Sequence, residues 1–295
     1  MIAATIENQE VHNACRVNEV VNIPWAHLRI RPFPQIAIRV AQMTSDENVL
    51  LHHLSDLISS DPAFATEVLA VANSVLYSPR FPSSSILQAI TVLGANNLRG
   101  ICLTVAARAY LGKFLTLPAM GAIWRHNLAC ALIAEQLATT GFIDKDTAYT
   151  CGVMHDIGRL ALATVRPNEY AHLLNTHMGS PQSILQSERE QFGCDHCDLG
   201  ERLVEEWHLP RGLETIVAAH HSIRKKDGCW GLPELINLSC RMADSAGFTA
   251  FPGCEITPFD ELLDELPARE RRSFNPEVEV LNAEISDRIS AVEMT

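Results

Sequence analysis

The sequence predicts an all-α protein, and three observations carry that expectation. Apolar residues recur at spacings of three and four along nearly the whole chain, the period of a helix with one buried face. No run alternates convincingly with the period of two that a strand needs. Helix-starting residues and glycine or proline stops recur at helix-length intervals. The architecture that follows is a multi-helix bundle.

Taken in order, Ser45 followed by acidic residues predicts an N-cap for a helix through VLLHHLSDLI. Asp61 before Pro62 repeats that logic, with a cap and a first-turn proline, for FATEVLAVANSVLY. Ser83 to Ser85 open a helix through ILQAITVL that Gly94 closes. Longer helices follow over 95–116 and 118–140, the second ending near Gly141. Asp146 or Thr147 begins another, which carries His155 and Asp156 and ends before Pro167. Further helices are expected at 168–178, 181–192, 195–208, 211–222 and 232–246.

The tail differs. Residues 249–275 are rich in proline, glycine and charge, which reads as a loop with a short helix around DELLDEL. Then Val278, Leu281, Ile285, Ile289 and Val292 make one apolar stripe. Such a stripe packs back on its own domain or serves as a partner or dimer helix.

Composition narrows the function. With 295 residues, 47% of them apolar and 20% charged, the chain supports one large or two modest domains with real cores. A formal net charge of −12 argues against direct nucleic-acid binding, which needs clustered Lys and Arg. The basic run Arg224, Lys225 and Lys226 reads as a solvated loop. No apolar run approaches the roughly 18 residues that span a membrane. Glu7 and Glu10 stand where a signal peptide needs basic and then apolar residues, so a cytoplasmic protein is expected. The nine cysteines are an odd count within helical patterns and read as reduced, small hydrophobes. Cys194 and Cys197 form one CxxC with no second pair to complete a zinc site.

Several of the twelve histidines fall where successive helices can project them into one centre. His126 lies mid-helix in IWRHNLACALIAEQLA, and His155 and Asp156 lie on a later helix. His196 begins DHCDLGERLVEEW with Asp195 as cap, His220 and His221 end ETIVAAHHS, and Asp244 sits within LSCRMADSA. Each alone has a structural explanation: a hydrogen-bonded interior histidine, a pair at the negative end of a helix dipole, a buried cap. Together their nitrogen and oxygen donors suit a mononuclear or binuclear divalent metal, Fe, Mn, Zn or Ni. Two such ions about 4 Å apart clamp a phosphoryl group and acidify a bridging water. Adjacent positions on a helix point about 100° apart, so His155 and Asp156 can serve different ions. Spacing alone leaves the metal and structural readings level. No GxxxxGK[ST] loop, GxSxG elbow or HExxH competes.

The chain resembles the HDOD family, the HD-related output domains of bacterial signalling. The likeness rests on PFPQIAIRVAQM, LSDLISSDPAFATEVLAVANSVLY and SSSILQAITVLGANNLRG, then WRHNLACALIA, GVMHDIGRLAL, FGCDHCDLGERLVEEWHLP, AAHHS and LINLSCRMADSA, and spans 24–247. It implies a bundle of the HD-domain type with an N-terminal helical subdomain. The divisions expected are an extension at 1–23, that subdomain at 24–117, an HD-like core at 118–248, and a loop with an amphipathic helix at 249–295.

The family is similar to metal-dependent HD phosphohydrolases and to HD-GYP cyclic-di-GMP phosphodiesterases, although many members have lost ligand residues and act as regulatory modules. Matched motif by motif, His126, His155, Asp156, His196, His220, His221 and Asp244 complete the family's ligand set. Arg159 stands where active HD-GYP enzymes carry a lysine, and is the candidate phosphate contact. The GYP signature is absent, with DGCWGLP at 227–233, which counts against cyclic-di-GMP hydrolysis. The two helices between Asp156 and His196 are expected to cover the site.

The resemblance therefore implies an output module acting through protein contacts, with a metal site retained. No receiver, cyclase or DNA-binding segment is visible, so signalling partners are expected in trans. A nucleotide ligand and a homodimer remain open. The alternative is a metal-dependent phosphohydrolase or phosphodiesterase on a nucleotide or cyclic dinucleotide.

Overall fold

The structure, a computed structural model, describes residues 28–294 apart from 47, 75–76, 78–79, 140–142 and 223–229. The extension at 1–23, Gly141, the basic run 224–226 and the first residues of DGCWGLP lie outside the described residues.

No strand occurs among the described residues, only an isolated bridge between Gly179 and Cys254. The first helices are α1 (Gln35–Met43), α2 (Leu51–Ser59), α3 (Pro62–Ala72), α4 (Ile86–Leu93) and α5 (Ala95–Leu111). Next come α6 (Pro118–Ala138), α7 (Lys145–Met154), α8 (Ile157–Val165), α9 (Pro167–Thr176) and α10 (Ser183–Phe192). Then follow α11 (His196–Glu206), α12 (Leu213–Ala219), α13 (Leu232–Ser245), α14 (Phe259–Asp264), α15 (Ala268–Ser273) and α16 (Val278–Glu293).

Local chemistry explains most of the boundaries. The Asp61 carboxylate accepts from the amides of Ala63 and Phe64, with Pro62 in the first turn of α3. The Ser85 hydroxyl caps α4 through the Gln88 amide, and Gly94 ends it at φ 87°. Ser45 caps no helix, contrary to expectation. Its hydroxyl bonds back to the Ala41 carbonyl at 2.9 Å, Asp46 takes the Asn48 amide, and α2 begins only at Leu51. A local Asp turn has outcompeted the cap.

The helix expected over 95–116 stops at Leu111, because Gly112 takes φ 50° and the chain tightens into a 3-10 turn to Thr116. The cap of α7 is Asp144, not Asp146 or Thr147, accepting from the Thr147 amide at 2.8 Å. The expected single helix through His155 and Asp156 is broken at that pair, since α7 ends at Met154 and Asp156 (φ −104°, ψ 27°) precedes α8. A short helix expected near DELLDEL is present as α14, and α15 follows it.

At the centre α6 packs against α7 and α13, while α8 packs against α11 and α11 against α12. Helix α5 joins this group to α1, α3 and α4. Two glycines set the spacing. A β-carbon on Gly152 would fall on the Ala131 backbone of α6, and one on Gly158 would fall on the His196 carbonyl at the start of α11. The break at His155–Asp156 coincides with this second close approach.

An aromatic trio ties the N-terminal helices to α11: Phe33 stacks on Trp207 with centroids 5.3 Å apart, and Tyr110 meets Trp207 edge-on at 6.0 Å. Buried apolar residues form one contiguous core from Leu28 to Val292.

The C-terminal stripe packs back on the chain. Leu281, Ile285, Ile289 and Val292 are buried, and α16 lies along α6. Polar ties flank it, with Arg288 to Glu135 at 2.7 Å and Gln136 to Glu284 at 2.8 Å. Removing the Ile285 side chain beyond its β-carbon (Ile285→Ala) should therefore cost about 2–5 kcal/mol in denaturant unfolding. The same change at exposed Val280 should stay within about 0.5 kcal/mol.

Candidate metal centre

His155 and Asp156 sit in the α7–α8 break, and the other candidates reach them from α6, α11, the end of α12 and α13. All of them are buried: His155, His196 and His220 are 0% exposed, Asp156 1%, His126 2%, Asp244 6% and His221 8%. Burying this much polarity demands partners for each group.

The histidine orientations are set from behind. Nδ1 of His155 faces the Gly152 carbonyl at 2.7 Å, Nδ1 of His220 the Val217 carbonyl at 2.8 Å, and Nδ1 of His126 the Phe248 carbonyl at 2.8 Å. A carbonyl accepts only, so Nδ1 carries a proton in all three rings and the Nε2 atoms face inward. Nε2 of His155, Nε2 of His220 and both carboxylate oxygens of Asp156 are buried without a hydrogen-bond partner. Ligand atoms of His155, Asp156 and His220 lie within 4.8 Å of one another. Orphaned, convergent nitrogen and oxygen donors fit a divalent cation.

Asp156 is the pivot. His220 Nε2 lies 3.2 Å and His196 Nε2 3.3 Å from its Oδ1, and Arg159 Nε lies 2.9 Å from its Oδ2. Burial opposes its ionisation, but Arg159, His155 and His196 outweigh that and hold the carboxyl well below the usual range. His155 moves the other way: burial brings its pKa down to about 3, leaving a neutral ring. For His196, burial and Arg159 oppose protonation, yet Glu188, Cys197 and Asp156 raise it to about 10.

Glu188 is the residue sequence reasoning missed. Fully buried on α10, it accepts from His196 Nδ1 at 2.6 Å and from the His196 amide at 2.9 Å. It also accepts from the Tyr170 hydroxyl at 2.7 Å and faces Arg159 NH1 at 3.6 Å. The helices between Asp156 and His196 thus feed the centre rather than only covering it. Nothing in SILQSEREQF distinguishes Glu188 from the solvated charges around it.

Arg159 is 1% exposed and its guanidinium is spent on Asp156 and Glu188. His221 meets His196, Nε2 to Nε2, at 3.1 Å. Asp244 joins no ligand group; its Oδ1 lies 3.3 Å from His126 Nδ1, on the side of the ring away from the inward Nε2. Two cysteines also lie at the centre: Cys240 Sγ is 3.4 Å from His126 Nε2, and Cys197 Sγ is 3.9 Å from His220 Nδ1.

The HDOD domain model matches residues 30–223, about two thirds of the sequence. The chain belongs to the HDOD family. An HDOD domain protein of unknown function from Geobacter sulfurreducens is 25% identical, with TM-score 0.66 over 90% of this chain and 91% of that one. A candidate metal-dependent phosphohydrolase from Shewanella amazonensis SB2B is 17% identical with TM-score 0.61, covering 90% of this chain and 93% of that one. A candidate signal transduction protein from Marinobacter aquaeolei VT8 is 20% identical with TM-score 0.63, covering 92% of this chain and 60% of that one. These last two likenesses are of fold. An uncharacterized protein from Treponema pallidum (strain Nichols) is 24% identical over 203 residues, and the matched stretch spans 39% of that curated relative's length.

The HDOD core is thus held together around two carboxylates. Replacing Glu188 by alanine leaves Arg159 and His196 to share the one carboxylate of Asp156, so Glu188→Ala should destabilise the fold by about 3–5 kcal/mol in denaturant unfolding. A loss under about 1 kcal/mol would show that these ion pairs are not formed in solution.

Proposed function

We propose that this chain is an HDOD regulatory output module that keeps a divalent metal centre and acts through protein contacts rather than turnover. The observation that carries the reading is the burial of Arg159, whose charge is spent on Asp156 and Glu188. Arg159 and His196 face Asp156 and Glu188 as ion-pair partners, which balances buried charge against buried charge. A phosphorylated substrate would have to open the core and break that balance before reaching Asp156.

The residues that would hold a cation are His126, His155, Asp156 and His220, with His196 and His221 next to them. Such a cation supplies Lewis acidity and a water of lowered pKa, and here it would also clamp α6, the α7–α8 break and the end of α12. The surfaces offered to signalling partners in trans are the N-terminal helical subdomain, 24–117, and the outer face of the C-terminal segment, around an HD-like core at 118–248. A cytoplasmic setting and a homodimer are part of the same proposal. No helix among the described residues is long and apolar enough to cross a membrane.

One observation favours a second reading, a phosphohydrolase on a nucleotide or cyclic dinucleotide. The unpartnered donors of His155, Asp156 and His220 are those a hydrolytic cation needs, and the fold is similar to that of a candidate metal-dependent phosphohydrolase. That reading requires Arg159 to leave Asp156 for phosphate.

Elemental analysis of metal-replete protein, with phosphodiesterase assays over mononucleotides and cyclic dinucleotides, separates the two. The expected result is bound metal, lost in His155→Ala, without turnover. Turnover that His155→Ala abolishes would establish the enzyme instead. Asp244→Asn, which touches only the outer nitrogen of His126, should weaken metal binding about 10–100-fold without removing the site.

A further inference from the structure

We infer that the centre is a mononuclear, thiophilic site in which Cys240 is a ligand in the place the sequence pattern gives to Asp244. This rests on the reading that the chain keeps a metal centre. Cys240 and Asp244 lie one turn apart on α13 and share a face, so only distance can say which of them reaches the ligand position. The Sγ of Cys240 is 3.4 Å from His126 Nε2, the inward nitrogen. Asp244 meets the opposite, outward nitrogen at 3.3 Å.

A second observation points to a ligand at the same spot. His155 Nε2 is fully buried and has no hydrogen-bond partner, and it lies within 4.8 Å of both His126 and Cys240 ligand atoms. Two imidazole nitrogens and one sulfur therefore converge from α6, the α7–α8 break and α13. The nearest carboxylate oxygen is Asp156 Oδ2, 3.7 Å from His155 Nε2.

A thiolate with two imidazoles selects zinc or a similar borderline-soft ion and disfavours manganese or magnesium, which prefer oxygen. A second group of donors, His196, Cys197, His220 and His221, also lies within 4.8 Å of one another, but it is already engaged. His196 Nε2 meets His221 Nε2 at 3.1 Å, and His196 Nδ1 meets Glu188 at 2.6 Å.

The test is cobalt(II) titration of the full chain, kept reduced with a phosphine, followed by absorption spectroscopy. One equivalent should bind and produce both visible ligand-field bands and a near-ultraviolet thiolate-to-cobalt charge-transfer band. Cys240→Ser should lose the charge-transfer band, and Cys197→Ser should keep it. X-ray absorption of zinc-loaded wild-type protein provides a measurement that needs no variant to fold: it should show one sulfur at about 2.3 Å from zinc.

Ligand-field bands without charge transfer, or zinc with no sulfur neighbour, would overturn Cys240 as a ligand and leave the metal centre standing. Loss of the band in Cys197→Ser but not in Cys240→Ser would overturn the assignment in favour of the other thiol. Two equivalents bound would overturn the mononuclear claim. No cobalt or zinc bound at all would overturn this inference together with the metal centre on which it rests.

Discussion

A carboxylate with 1% exposure cannot stay ionised in a protein interior without several neighbours committed to it, and the Asp156 carboxylate gathers them from most of the molecule. Arg159 comes from the first turn of α8, His196 from the first residue of α11, and His220 from the end of α12. Glu188 then arrives from α10 to satisfy what Arg159 and His196 have left over, and brings Tyr170 of α9 with it. Five consecutive helices are held to one another through a single charge-balanced network. Such a network is costly to break at any member, because each deletion leaves an unpaired charge behind.

The network also explains why small residues stand beside it. Distances near 3 Å between Asp156 and groups on α11 require the two helices to meet backbone to backbone, and Gly158 permits that contact with the His196 carbonyl. Gly152 does the same for α7 on α6, which brings His126 and His155 rings to 5.5 Å. Packing sets the site geometry in both cases, and no flexible loop intervenes between the core and these histidines. The apolar stripe of α16, closing over α6, extends the same packed body to the C-terminal end of the chain.

The helical class was legible because a period of three to four survives in almost every segment, and caps such as Asp61 and Ser85 work locally. Ser45 failed for an equally local reason, since its hydroxyl bonds back to the Ala41 carbonyl while Asp46 takes the Asn48 amide. The HD pair was legible as a centre but not as a helix break, because the break follows from the docking of α11, which is distant in sequence. His126, His155, Asp156, His196, His220 and His221 do lie as neighbours in the structure. Their contacts were less legible, because spacing shows which face a residue lies on and cannot tell which side chain of a one-turn pair touches the inward nitrogen. That is the difference between Cys240 and Asp244. Glu188 was invisible for another reason: it lies in a run of charges whose neighbours really are solvated.

The two halves of the centre differ in what they lack. Around Arg159, Glu188 and His196, every charge has a counter-charge close by. Around His126, His155 and Cys240, the donors face inward, with His155 Nε2 unpartnered. A cation therefore has more reason to enter beside His155 than between His196 and His221, whose Nε2 atoms already meet. The HD pair stands at the seam: His155 belongs to the open half, Asp156 to the closed half, and consecutive backbone joins them. Any ion that pulls on His155 pulls on the residue to which α8, α11 and the end of α12 are tied, through a break in the helix rather than through its rigid middle. On the proposed reading of an output module that works by contact, such a seam is where occupancy of a buried site would become a change in how its helices are presented.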